Sequence, residues 1–164
     1  MPLPGVLHLI PSPLGEANLD TVIPVEVQTL LRRLSTFIAE RPKTARAFLK
    51  QLRHPLPLSG LEILTLDEHT GSHELQHLLV PLQAGKDVGL LSEAGAPAVA
   101  DPGANLIQLA HKTGITVQAH VGPSAILLAL MASGLQGQRF CFHGYLPSEK
   151  SARRQALSNI ERES

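Results

Sequence analysis

The chain has 164 residues, of which 43% are hydrophobic and 17% charged, as expected for one globular domain with its own core. Lys plus Arg and Asp plus Glu both number 14, so no global basic field indicates nucleic-acid binding, and any RNA contact must be local. Four Phe, one Tyr and no Trp argue against base stacking as the main binding device. The single Cys141 excludes an internal disulfide, and no stretch approaches the roughly 18 apolar residues of a membrane span. Without a signal-peptide pattern, the expected location is the cytoplasm.

Short apolar runs alternate with segments of helical periodicity along most of the chain. Strands are predicted at Val6–Ile10, Thr36–Ala39, Leu61–Leu66, Val88–Ser92, Ile115–Ala119 and Arg139–Phe142, the last with Cys141 as a buried, inert thiol. Helices are predicted at Val25–Leu34, Thr44–Leu52, Ser72–Gln83 with Ser72 as the N-cap, Asn105–Lys112, Ala125–Ser133 and Ser148–Ser164. This alternation predicts an α/β fold with a mostly parallel sheet and helices on both faces.

The loops that follow the strands share one predicted location. In a parallel sheet every strand-to-helix loop lies at the same edge, and ligands bind in the crevice outside the carboxyl ends of the strands. Three of the four loops are rich in Gly or Pro, which makes a binding crevice at this edge the expected functional site. The four loops are Pro11–Gly15, Glu40–Pro42, Ser92–Gly103 and His120–Ser124.

The segment between Leu90 and Gly103 is the most informative of these. Its glycines permit unusual backbone torsions, and its alanines leave room for a flat ligand to approach the main chain. Glu93 and Asp101 lie in it without any Lys or Arg, so a phosphate would be repelled, whereas ribose hydroxyls or a cationic ligand would be tolerated. The alternative interpretation is a tight strand-to-helix turn whose small residues serve packing only.

Two further patterns each have a functional and a non-functional interpretation. His73–His77 matches the H-E-x-x-H pattern of zinc proteases, but a chance match fits a parallel-sheet protein better, and no metal is expected. Lys150, Arg153 and Arg154 form a small basic group that is either a solvated helix face or a contact to RNA phosphates.

Several segments, in chain order, carry a resemblance that spacing alone does not reveal. They are Ile10–Gly15, Glu40–Arg46, Ser92–Pro97 with Asp101–Gly103, Gly122–Ala125 and Phe140–Pro147. Together they resemble the tetrapyrrole methylase superfamily and, within it, the ribosomal RNA small subunit methyltransferase I group. The resemblance implies a methyltransferase that uses S-adenosylmethionine to methylate a ribose 2′-hydroxyl of ribosomal RNA. It also implies ribosomal RNA or the small ribosomal subunit as partner, a homodimer, and no membrane association.

The resemblance also implies which residues contact the cofactor. These are Pro11 and Gly15 in the first loop, Ala94, Gly95, Ala96 and Val99 in the long loop, and Ser124 and Ala125 at the start of a late helix. Because Glu40 and Glu93 lie at predicted strand ends facing the crevice, we expect one of them to accept the hydroxyl proton or to balance the sulfonium charge. The alternative is that both are solvated loop carboxylates.

The domain organisation and the methyl acceptor are the open parts of this interpretation. Residues 1–147 are expected to form the methyltransferase-like domain, and residues 148–164 a connector helix to a second domain. Without that domain, the chain is expected to bind the cofactor weakly or to be inactive. The alternative is a terminal helix that docks on the sheet. Residues 11–16 and Glu40–Pro42 depart from the pattern of the ribosomal members. A tetrapyrrole or other small-molecule acceptor, and a non-catalytic adenosylmethionine-binding or dimerisation module, therefore stay open as alternatives.

Overall fold

The computed structural model of the chain describes residues 3–163, which divide into two units. The first unit ends at Ala125 and the second begins at Ile126. The strands are Val6–Ile10 (β1), Thr36–Ala39 (β2), Glu62–Thr65 (β3), Val88–Leu91 (β4) and Thr116–Ala119 (β5). The helices are Leu19–Val22 (α1), Val25–Arg33 (α2), Pro42–Gln51 (α3), Ser72–Leu78 (α4), Val80–Gln83 (α5), Ala104–Lys112 (α6), Ala125–Ser133 (α7) and Lys150–Glu163 (α8).

The five strands of the first unit form one parallel sheet in the order β3-β2-β4-β1-β5. The chain moves outward from β1 to β2 and β3, then returns to insert β4 between β2 and β1 before it adds β5 at the other side. Two separate apolar clusters cover the two faces of the sheet: α2 and α3 contribute to one, and α4, α5 and α6 to the other. The predicted α/β fold, with a parallel sheet between helices, is confirmed.

The inner strands are apolar because both of their faces are covered. Every residue of β2 and of β4 is buried. At Gly89 in β4 the packing leaves no space for a side chain, since a Cβ would lie 2.9 Å from Cδ1 of Phe37 and 3.2 Å from Cδ1 of both Ile10 and Leu34. Close packing around Gly89 thus holds β4 and its two neighbouring strands together.

Most predicted elements are present, with ends that differ by one or two residues. The helix predicted from Ser72 differs in two respects. Its N-cap is Gly71 instead of Ser72, because the Glu74 carboxylate accepts a hydrogen bond from the Gly71 N–H at 2.8 Å. It also divides into α4 and α5, because Pro81 has no N–H with which to continue the hydrogen-bond ladder.

The strand predicted at Arg139–Phe142 is wrong. Among the described residues of the second unit, the structure shows α7 and α8 but no strand, so this segment has no main-chain partner in its own unit. Cys141 is exposed instead of buried, beside Phe140 and Phe142 that are 54% and 45% exposed. An apolar run predicts a strand only where another strand can pair with it.

The last helix begins two residues later than predicted. Its first turn is capped by Glu149, whose carboxylate accepts hydrogen bonds from the Ser151 hydroxyl and from the N–H groups of Ser151 and Ala152. These hydrogen bonds lower the pKa of Glu149 to about 2. Ser164, the last residue of the predicted helix, lies outside the described residues. Within residues 3–163, none of the helices combines the length and the apolar character needed to span a bilayer.

We expect Gly89→Ala to lower the free energy of unfolding by about 1–3 kcal/mol, because the added methyl group overpacks the interior. Urea denaturation measures the change. The control is Gly60→Ala, whose Cβ would lie 3.7 Å from Pro57 Cγ, an ordinary contact distance. Its effect should stay within about 0.5 kcal/mol. Equal effects of the two substitutions would contradict the packing argument.

Candidate functional site

The four predicted loops lie at the same edge of the sheet, since they follow the parallel strands β1, β2, β4 and β5. β1 and β4 are neighbours in the sheet, yet the chain leaves β1 towards the face covered by α2 and leaves β4 towards the face covered by α6. Neighbouring strands whose connections diverge in this way open a crevice between their loops, where ligands bind in open α/β sheets. The prediction that these loops share one edge of the sheet is therefore confirmed.

A pair of main-chain hydrogen bonds joins the loops that follow β1 and β4. The Ser12 N–H donates to the Gly95 carbonyl and the Gly95 N–H donates to the Ser12 carbonyl, both at 2.9 Å. The Ser92 hydroxyl also donates to the Gly95 carbonyl. Gly95 has a φ of +71°, a torsion that glycine adopts at little cost. These contacts hold the two loops in one fixed arrangement.

The loop after β5 lies against the same point. A Cβ on Gly122 would lie 2.5 Å from Cβ of Pro11, and a Cβ on Gly95 would lie 3.6 Å from the Pro123 carbonyl oxygen. At these two glycines the absence of a side chain therefore serves packing between loops, which is the role that the packing interpretation gave them. The consequence for the site is that the loops after β1, β4 and β5 form one contiguous wall.

The remainder of the long loop contains unusual backbone torsions. Ala98 and Ala100 have φ values of 64° and 59°, and Gly103 has a φ of 137°. A left-handed conformation costs a residue with a Cβ roughly 1–2 kcal/mol. Such strain is concentrated at ligand-binding and active-site loops, where the surrounding structure enforces it.

A cavity of about 300 Å³ opens beside this wall, between the first loop, the start of the long loop and α3. Its volume is at the lower end of the range for small-molecule sites. The predicted residues Gly15, Glu93 and Ala94 line it. Its other lining residues are Ser12, Pro13, Leu14, Glu16, Ala39, Thr44, Ala45, Ala47, Phe48, Gln51, Leu91 and Ser92.

The other predicted cofactor contacts lie around this cavity instead of on its wall. Pro11 is buried against Gly122, and Gly95 is held by Ser12. Ala96, Val99 and Ser124 belong to the loops after β4 and β5, and Ala125 is the first residue of α7. None of the four lines the cavity, and Val99 is 46% exposed.

Sequence reasoning missed the wall formed by α3. Thr44, Ala47, Phe48 and Gln51 line the cavity, although no glycine-rich or charged motif marks them. Helical periodicity could have indicated them, because it places Thr44, Ala47 and Gln51 together on the side of α3 next to its buried residues.

Three carboxylates at this edge influence one another. The pKa of Asp101 is raised, mainly because the carboxyl group is partly buried and further because Glu40 and Glu93 carry negative charge nearby. The Glu40 side chain is 31% exposed, and Arg41 Nε lies 3.9 Å from its Oε1. Asp101 was not among the predicted catalytic residues, and its coupling to both predicted carboxylates makes it a third candidate. A cation bound among these groups would relieve their mutual repulsion.

The residues of the H-E-x-x-H segment, His73–His77, make contacts within and next to their own helix. The rings of His73 and His77 are in edge-to-face contact, with centroids 4.7 Å apart, and the Glu74 carboxylate binds the N–H of Gly71. In the part of the chain that the structure describes, no group of three or more His, Cys, Asp or Glu is arranged to hold a metal ion.

A buried histidine anchors the start of the β5 loop. His8 Nδ1 lies 2.9 Å from His120 Nε2, and His8 Nε2 lies 3.9 Å from Oδ2 of Asp87. Burial, followed by the neighbouring His120, lowers the pKa of His8, although Asp87 partly opposes this shift. Burial also lowers the pKa of His120. The hydrogen bond needs one N–H and one lone pair, so protonation of both rings would break it.

Comparison with curated proteins shows similarity over nearly the whole chain. Ribosomal RNA small subunit methyltransferase I of Xylella fastidiosa (strain Temecula1) is 35% identical over 99% of this chain and 57% of its own length. The protein of the same name from Escherichia coli O157:H7 is 33% identical over 97% of this chain and 53% of its own length. The one from Thermotoga maritima is 33% identical over 97% of this chain and 68% of its own length. The chain thus spans little more than half the length of several curated relatives that it matches. No protein-family profile matches it.

We expect the free energy of unfolding to decrease as the pH falls below about 6.5, the ordinary pKa of histidine. The pKa of His8 is lowered in the folded chain, so the unfolded chain binds the proton more readily and acid favours unfolding. Urea denaturation between pH 7.5 and 5 measures this slope. His8→Phe should flatten it, whereas the control His143→Gln, at an exposed histidine of the second unit, should leave it in place. An unchanged slope in His8→Phe would contradict the assignment.

Proposed function

The chain belongs to the ribosomal RNA small subunit methyltransferase I family, and we propose that it binds S-adenosylmethionine at the carboxyl edge of its sheet for the methylation of ribosomal RNA. The proposed acceptor is a ribose 2′-hydroxyl. One observation carries the proposal: the β1 and β4 loops, joined through Ser12 and Gly95, wall a cavity at the point where their connections diverge.

The chemistry of the cavity fits an adenosyl sulfonium better than a phosphorylated ligand. Its lining includes Glu93 and Glu16 but no Lys or Arg. A carboxylate can accept hydrogen bonds from ribose hydroxyls, whereas a phosphate would meet repulsion without a compensating cation. Glu40, Glu93 and the partly buried Asp101 also favour a positively charged group nearby. These features support S-adenosylmethionine over a nucleoside phosphate.

We assign the cofactor contacts to the residues that match the family motifs. Gly15 and Ala94 have the strongest support because they line the cavity. Pro11 and Gly95 lie in the contacts that join the loops, so their role is to shape the wall. The assignment of Ala96, Val99 and Ser124 rests on their position in the same loops and on the resemblance, and that of Ala125, the first residue of α7, rests on the resemblance.

Bound S-adenosylmethionine would supply an electrophilic methyl group carried by its sulfonium sulfur. The chain has to hold the acceptor ribose beside it, exclude water and remove the hydroxyl proton. We propose that one of the three carboxylates at this edge accepts that proton, with Glu40 and Glu93 at the ends of β2 and β4 as the first candidates. Asp101 joins them because its raised pKa makes it a stronger base than an ordinary aspartate.

The proposed partner is ribosomal RNA or the small ribosomal subunit, in agreement with the names of the curated relatives. A homodimer and a cytoplasmic location stay predictions that follow from the resemblance and from the sequence. A tetrapyrrole or small-molecule acceptor is the alternative enzyme function. A methyl-transfer assay that offers small ribosomal subunits, free RNA and tetrapyrroles in parallel separates the two.

We expect the chain to bind S-adenosylhomocysteine, and Ala94→Phe to weaken this binding at least tenfold because the larger side chain fills the cavity that Ala94 lines. Isothermal titration calorimetry measures the affinity. Ala84→Phe is the matched control, since Ala84 is exposed next to the end of α5 and does not line the cavity. Absence of binding by the unmodified chain, or an equal loss in both variants, would contradict the assigned site.

In a protein that includes the second domain expected from the resemblance, we expect one of the variants Glu40→Gln, Glu93→Gln and Asp101→Asn to lower kcat for methyl transfer to small ribosomal subunits by about 10²–10⁴-fold, the usual contribution of a general base. Its affinity for S-adenosylhomocysteine should change less than about threefold, because the substitution removes a charge without changing the shape of the side chain. Normal turnover in all three variants would show that none of these carboxylates accepts the proton.

A further inference from the structure

The stretch from residue 41 to residue 61 is the most basic part of this neutral chain. It contains Arg41, Lys43, Arg46, Lys50 and Arg53 but neither Asp nor Glu. All five cationic residues are exposed. About half of the stretch is α3, the helix that forms one wall of the cavity, so a local positive surface lies directly beside the candidate site.

Helical periodicity arranges three of these cations on one stripe of α3. At about 100° per residue, Lys43, Arg46 and Lys50 lie within about 60° of one another around the helix axis. Thr44, Ala47 and Gln51, which line the cavity, occupy the adjacent arc. The opposite side carries the buried residues Ala45, Phe48 and Leu49. The basic stripe is therefore the rim of the cavity on this side.

Two of these charges lie where they do not stabilise α3. Arg41 and Lys43 lie at the N-terminal end of α3, where the helix dipole disfavours cations, and the first turn has no acidic residue. Arg41 makes one long ion pair with Glu40 at 3.9 Å. Within residues 3–163, the structure shows no ion pair from Lys43, Arg46, Lys50 or Arg53. The positive end of the α3 helix dipole and the cations without an ion-pair partner can both attract an anion from outside the chain.

We propose that the basic surface of α3 and its flanking residues, formed by Arg41, Lys43, Arg46, Lys50 and Arg53, binds the phosphate backbone of the RNA substrate and guides the acceptor ribose to the adjacent cavity. The inference rests on the proposed function and adds the surface that recognises the polymer. Cations that contact phosphates position an RNA without reading its sequence, so this surface would set where the RNA lies and not which nucleotide is selected.

Two observations favour RNA over other anionic partners. No large apolar side chain is exposed on α3, so the surface lacks the residues that insert into a membrane interface. The basic group on α8 is a weaker candidate, because the Arg153 guanidinium donates hydrogen bonds to the carbonyls of Pro147 and Ser148 at 3.4 and 3.0 Å.

The test is the combined variant Lys43→Gln, Arg46→Gln and Lys50→Gln in the 164-residue chain. Fluorescence anisotropy with a labelled single-stranded oligoribonucleotide of 12 nucleotides measures affinity at several salt concentrations. We expect affinity to fall at least tenfold. The slope of log K against log salt should decrease by about 2, since each lost phosphate contact on a single strand contributes about 0.7.

The matched control removes the same charge at the opposite edge of the sheet. Arg33→Gln, Lys86→Gln and Lys112→Gln change exposed residues at or near the amino ends of β2, β4 and β5. We expect RNA affinity in this control to stay within about threefold of the unmodified chain. An equal loss in both variants would show a general effect of net charge and would overturn the proposal.

Parallel calorimetry with S-adenosylhomocysteine separates this inference from the proposed function. Both variants should bind it as the unmodified chain does. Normal RNA affinity in the α3 variant would overturn the RNA surface and leave the cofactor site intact, whereas absence of S-adenosylhomocysteine binding by the unmodified chain would contradict the proposed function itself. Binding to anionic phospholipid vesicles without binding to the oligoribonucleotide would identify a membrane contact and would also overturn the proposal.

Discussion

Two main-chain hydrogen bonds between Ser12 and Gly95 are the constraint on which the site depends. β1 and β4 lie side by side, but their connections diverge to opposite faces of the sheet, and these bonds hold the two loops together where they would otherwise separate. The fixed loops give Pro11 a position against Gly122, which adds the β5 loop to the same wall. The cavity beside α3 follows from this arrangement.

Charge is distributed around the site in a way that suits two different ligands. Carboxylates lie in and near the cavity, since Glu93 lines it and Asp101 is electrostatically coupled to both Glu40 and Glu93. Cations lie outside, on the exposed stripe of α3 that contains Lys43, Arg46 and Lys50. The net charge of the chain is therefore zero although charges of opposite sign are separated around the site. This separation fits a cationic methyl donor within the crevice and a polyanionic acceptor along its rim.

The alternation of apolar runs and helical periodicity was sufficient to predict the parallel sheet and the edge at which the loops meet. The strand expected at Arg139–Phe142 is absent, because a segment forms a strand only where a neighbouring strand pairs with it, and its own residues do not show whether one is there. The cavity wall formed by Thr44, Ala47 and Gln51 was missed because helical periodicity predicts which residues are buried but not which loops lie beside the helix. The coupling of Asp101 to Glu40 joins two loops that are distant in the sequence, so only the fold reveals it.

Hydrogen–deuterium exchange with and without S-adenosylhomocysteine tests most directly whether the joined loops are the cofactor site. We expect binding to slow exchange in residues 11–16, 92–103 and 120–124, while exchange at the amino edge of the sheet, such as in residues 84–87, stays the same. Protection confined to segments outside these loops, or no change in them at a saturating ligand concentration, would contradict the account.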